Sequence, residues 1–106
     1  MRRARSARPE RVLPGVVNHQ FDPAFTQDGR YLAYSRTSTS PQSVLVIRDR
    51  REQRESVFQP RDSRATARYP SFAPDGSRVV FSLSDVGGQR IAAVDRAGQG
   101  LTILAA

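Results

Sequence analysis

At 106 residues, with no cysteine and one histidine, the chain has room for one modest core, and it excludes a disulfide framework, a thiolate metal site and a histidine metal cluster. Its formal charge of +7 comes from 17 basic residues, all of them arginine, against 10 acids. Arg2, Arg3, Arg5, Arg8 and Arg11 with Glu10 supply +4 of that total, so the rest of the chain carries only +3 and nucleic acid is not the expected partner.

Residues 1–20 read as a basic N-terminal arm. The arm lacks the apolar stretch of about 7–15 residues that a secretory leader needs, and no run in the chain approaches the roughly 18 apolar residues of a membrane-spanning helix. His19 lies in a segment flanked by Pro and Gly, and no G-x-S-x-G elbow occurs anywhere. It therefore reads as a surface or packing histidine, not as a member of a Ser-His-Asp triad.

Beyond the arm the chain repeats itself. PAFTQDGRYLAYSR at residues 23–36 aligns without a gap on PSFAPDGSRVVFSL at 70–83, an offset of 47 residues that sets Phe25 on Phe72. Such a period marks an architecture in which one supersecondary unit stacks on a copy of itself. Each copy opens on a short strand, 23–26 or 70–73, that ends in a turn at Gln27-Asp28-Gly29 or Pro74-Asp75-Gly76. Asp suits the second central position of that turn, and Gly takes the left-handed conformation that closes the hairpin.

The second strand is predicted over 31–35 and 78–82, apolar enough to have neighbours on both faces. Polar loops follow, TSTSPQ and SDVGGQ, rich in strand-breaking residues. The third strand covers 44–49 and 90–95, where Asp49 matches Asp95 after a one-residue slip to an offset of 46. Leu45 and Ile47 share one face, as do Ile91 and Ala93. The fourth strand covers 55–58 and 101–104, and the same step carried back reaches Val12-Leu13, the place of a stray fourth strand from a preceding unit.

The chemistry-bearing residues give no catalytic pattern. Asp28-Gly29 and Asp75-Gly76 invite a calcium reading, but the D-x-[DN]-x-[DN]-G series with its distal Glu is missing, and turn formation accounts for both pairs. Gly87-Gly88 signals a loop and no phosphate-binding G-x-x-x-x-G-K accompanies it. Asp49, Glu52, Glu55, Asp62, Asp85 and Asp95 are spread over turns and strand ends without the spacing of an acid–base pair. No catalytic residue, cofactor or metal ligand is expected. The best local candidate for a contact surface is QPRDSRATARYP, with Arg61, Arg64 and Arg68 ahead of Tyr69, although such a segment also serves simply to join units.

Two four-stranded units of about 45 residues suit propeller blades better than a sandwich. The copies resemble the WD-repeat-like propeller repeats of the TolB type, whose motif is Pro, an aromatic two residues on, Ser-Pro-Asp-Gly, an apolar strand and a later strand ending in Asp. Pro70, Phe72, Pro74, Asp75, Gly76, Val79, Phe81, Ile91 and Asp95 carry the likeness in the second copy. Pro23, Phe25, Asp28, Gly29, Leu32, Tyr34, Leu45 and Asp49 carry it in the first.

The resemblance implies an all-β fold of two four-stranded antiparallel blades in an incomplete ring, with blade 1 at residues 21–60 and blade 2 at 61–106. Members of that family close a ring of about six blades, so two would be part of a larger propeller or would complete one by self-association. The implied function is non-catalytic binding of a protein or ligand, through the open blade faces and through loops 37–42 and 84–89 on one rim. Similar blades also occur in the propeller portion of serine peptidases of the prolyl oligopeptidase type and in sensor regions of membrane-anchored transcriptional regulators. The resemblance alone favours a periplasmic location.

Overall fold

The computed structural model describes residues 20–37 and 42–106. His19 and the expected strand at Val12-Leu13 lie outside them. The described residues form eight strands: β1 (Gln20–Phe25), β2 (Tyr31–Thr37), β3 (Ser43–Asp49), β4 (Arg54–Phe58), β5 (Thr66–Phe72), β6 (Arg78–Asp85), β7 (Gly88–Asp95) and β8 (Thr102–Ala105). Among them there is no helix, and so none long and apolar enough to cross a membrane.

Strands β1 to β4 pair antiparallel in sequence order, and so do β5 to β8. Purely antiparallel pairing does not hold across the junction: β5 joins β3 in parallel through one bridge, Ser43 to Thr66, which makes a single open, mixed sheet. The chain path explains the parallel link. Phe58 at the end of β4 pairs with Leu45 near the start of β3, so a short connection brings Thr66 beside Ser43 with β5 running in the direction of β3. Hydroxyls satisfy the backbone there: Ser35 Oγ donates to the Ala67 carbonyl at 2.6 Å, and Ala67 N donates to Ser43 Oγ at 3.1 Å.

The repeat is three-dimensional. Phe25 pairs with Leu32 and Phe72 with Val79, and Leu32 pairs with Arg48 as Val79 does with Val94. Both first strands carry a bulge at the same place, between Phe21 and Ala24 and between Arg68 and Ser71. The extra residue has positive φ in each, 60° at Asp22 and 57° at Tyr69. Proline follows both, and a proline without an N–H is tolerated within a strand where a bulge breaks the ladder.

The core shows how the units stack. Ala33, Leu45 and Ile47 of the first unit share one buried cluster with Val79, Phe81, Leu83, Ala92 and Val94 of the second, and Phe58 packs against it with its ring 5.3 Å from that of Phe81. In repeat register, Leu32 and Tyr34 are the counterparts of Val79 and Phe81, and Leu45 and Ile47 those of Ile91 and Ala93. The units therefore stack front to back, the rear of the first on the front of the second. Ile91, in the register position of fully buried Leu45, is 40 % exposed because it lies on the rear of the second unit. At the front of the first unit Leu32, Tyr34, Val44 and Val46 form a buried cluster of their own.

The hairpin turns follow their sequence. Gly29 and Gly76 have φ of 74° and 75°, and each N–H donates back to the carbonyl three residues earlier, Thr26 or Ala73. Gly76 is buried, and a Cβ there would lie 3.4 Å from Thr26 Cγ2 in the other hairpin. Gly76→Val is expected to cost more than about 1 kcal/mol, because a β-branched residue resists this conformation. Equal urea midpoints for variant and parent would count against the turn.

Candidate functional site

The repeated hairpins lie side by side because β1 packs along β5. Between them is a cleft of about 630 Å³ lined by Phe25, Thr26, Asp28 and Tyr31 of the first hairpin, Phe72, Pro74 and Asp75 of the second, and Arg96. Its size suits a small ligand or an inserted side chain. The two aspartates face it as turn formers: Asp28 Oδ1 accepts from Arg30 N and from Thr26 Oγ1, and Asp75 Oδ1 accepts from Ser77 N and Oγ. The backbone N–H of Arg30, then the Thr26 hydroxyl, hold the Asp28 carboxyl below its ordinary value, and the N–H and hydroxyl of Ser77 do the same for Asp75.

Arginine and aromatic rings alternate around this edge. The Arg96 guanidinium lies 4.4 Å from the centroid of Tyr31, with Arg30 at 5.0 Å from the same ring, and Arg50 stands 5.4 Å from Phe25. Farther along the aligned first strands, Arg68 is placed 4.1 Å from Phe21 and 4.8 Å from Tyr69, whose ring is 61 % exposed. Asp22 fixes that arrangement. Its Oδ2 accepts from Arg68 Nε at 2.7 Å and from the Tyr69 N–H at 3.3 Å, so the bulge of one unit holds the bulge of the next. Stacked guanidinium and aromatic faces of this kind form an amphipathic contact surface.

Arg30 and Asp49 make the best-formed ion pair, with Nε to Oδ1 at 3.0 Å and NH2 to Oδ2 at 2.9 Å. Asp49 also accepts from the N–H groups of Arg51 and Glu52, which tightens the turn after β3, and Asp95 does the same for Ala97 and Gln99. The hydrogen bond from Arg30, foremost, takes the Asp49 carboxyl from 3.8 to about 2. A depressed value in the folded state means that the stabilisation is present above the ordinary carboxylate range and is lost as the pH falls through about 2. Asp49→Asn is expected to flatten the acid limb of the stability profile over that window. An acid limb as steep as the parent's, measured by urea unfolding at each pH, would mean that the pair does not set the acid stability of the fold.

The segment carrying Arg61, Arg64 and Arg68 is split by the fold. Arg68 belongs to the aligned first strands, paired with Asp22. Arg61 and Arg64 are exposed on the connection between β4 and β5, which Gln42 holds by donating from Nε2 to the Pro60 and Asp62 carbonyls, both at 3.0 Å. Register sets Ser43, Thr66 and Ser84 side by side, so the start of β3 and the turn between β6 and β7 lie at one end of the sheet; residues 38–41 of the expected loop over 37–42 lie outside the described residues. The expected loop over 84–89 is much shorter: Asp85 pairs with Gly88 across a turn of Val86 and Gly87, since Gly88 at φ 112° allows the strands to close early.

Glu55 on β4 lies 3.8 Å from Arg36 and 3.6 Å from Arg48, near the buried Tyr34 hydroxyl. Burial, then the Glu55 charge, push the Tyr34 phenol up to about 12, so it stays a neutral donor over the ordinary pH range. Among the described residues no three His, Asp or Glu side chains converge as metal ligands would. Comparison with protein-family models and with curated proteins gives no match.

Proposed function

We propose that the chain is a non-catalytic β-propeller repeat module of the TolB type, in which the two units act as consecutive blades and the task is to bind a protein or ligand. The observation that supports this most is the front-to-back stacking of two units with matching register, bulge and turn. A front-to-back contact is heterologous: it does not satisfy itself and continues until a rotation closes it into a ring. Repeat units of this kind draw their stability from neighbours. The arginine–aromatic edge and the cleft between the hairpins are where such a module would hold its partner, since β1 and β5, the innermost strands on this reading, converge there.

Sedimentation equilibrium on the 106-residue chain, with far-UV circular dichroism, tests the reading. It predicts β-structure accompanied by concentration-dependent association. A folded, monodisperse monomer at every concentration would mean that two units satisfy each other, and the propeller reading would fall.

A further inference from the structure

We propose that the free edge of β8, with the cleft beside it, is a docking site for an extended peptide bearing apolar side chains and acidic flanks. Among the described residues β8 pairs only with β7, and all four of its residues are exposed. One side of its backbone therefore presents N–H and C=O groups with no partner among the described residues, the arrangement that an added strand completes. Next to this edge the outer strands of the two units diverge around a cleft of about 550 Å³. Phe58 and Leu83 form its floor, and Leu101 and Ile103, 47 % and 43 % exposed, form its open wall.

Charge completes the description of the occupant. Arg61 lines the cleft and Arg64 follows it on the same connection, both exposed and neither in an ion pair among the described residues. The nearby acids are engaged: Asp62 Oδ1 accepts from Arg64 N, while Asp85 accepts from Gly87 N and pairs with Arg90. Amide hydrogen bonds leave the carboxylate charges in place, and Arg61, Arg64 and Arg90 against Asp62 and Asp85 still leave the rim net positive. A backbone edge selects an extended chain, the apolar wall selects apolar side chains at alternate positions, and the rim selects carboxylates. Nucleic acid would meet the arginines and leave the apolar wall bare. The site does not depend on ring closure, because β8 and β4 lie at the edge away from β1 and β5.

The test is fluorescence anisotropy on the full chain with a labelled short peptide of alternating valine and threonine capped by glutamates. Two further versions are N-methylated on alternate amides, one on the odd set and one on the even set. Only one set faces β8, so one version should bind at least about tenfold more weakly and the other as well as the parent peptide. Arg61→Glu should turn the preference toward a lysine-capped peptide, with circular dichroism unchanged. Absence of binding at millimolar peptide, equal affinity of the two methylated versions, or an unaltered charge preference in Arg61→Glu would each overturn the proposal.

Discussion

Phe81→Ala is expected to bring the chain close to unfolding. Phe81 is 1 % exposed and packs across the junction between units, with the Phe58 ring 5.3 Å away. Removing a buried phenylalanine costs about 3–5 kcal/mol, against a total of about 5–15 kcal/mol for a domain of this size. The loss should be felt in both halves, because the cavity opens in the core they share. Leu45 and Ile91 occupy equivalent positions in the repeat, yet Leu45 is fully buried and Ile91 is 40 % exposed. Leu45→Ala should therefore cost about 2–5 kcal/mol and Ile91→Ala well under half as much. Similar urea midpoints for those two variants would contradict the stacking.

Gly98→Val is the second large effect. Gly98, in the turn before β8, has φ of 77°, and a Cβ built on it lies 3.2 Å from both the carbonyl carbon and oxygen of Val57 and 3.3 Å from Phe58 N. Those are backbone atoms of β4, which cannot yield without moving the first unit. The positive φ alone costs a β-branched residue about 1–3 kcal/mol, and the collision adds to it. Gly29 is the internal control: its φ is 74°, and the nearest atom to an added Cβ is Arg50 NH1 at 3.8 Å, an ordinary van der Waals contact with a side chain that donates to the Gly29 carbonyl, so the added group meets no backbone. Denaturant unfolding should rank Gly98→Val well below Gly29→Val in stability. If the two variants unfold together, the turn before β8 does not press on β4.

The parts of the fold that were legible in the sequence are those that local chemistry decides. Asp28-Gly29 and Asp75-Gly76 specify their turns without help from elsewhere, and both glycines take the positive φ their position requires. The repeat carried the strand order and the match of Asp49 with Asp95, and both aspartates close the turn that follows their strand. The identity of the packed face was not legible, because Leu45 and Ile91 follow the same alternation and differ only in what stacks against them. Strand β1 includes Gln20, Phe21 and Asp22, ahead of the start at Pro23 that the sequence predicts, because the bulge at Asp22 lets the ladder continue past Pro23. A proline within a strand pattern, Pro23 and Pro70, was the available signal for those bulges. The Asp22–Arg68 pair had no signal of its own: its partners come from different units and meet only after stacking.

The stacking of the two units is tested most directly by a nuclear Overhauser spectrum of the folded chain, through the contacts of the Phe81 ring. Front-to-back stacking predicts cross-peaks from Phe81 to the Phe58 ring and to the side chains of Leu45 and Ile47, which share its cluster. Cross-peaks from Phe81 to Leu32 and Tyr34 instead would mean that the units meet front to front, and the repeat would not be a stack that can continue.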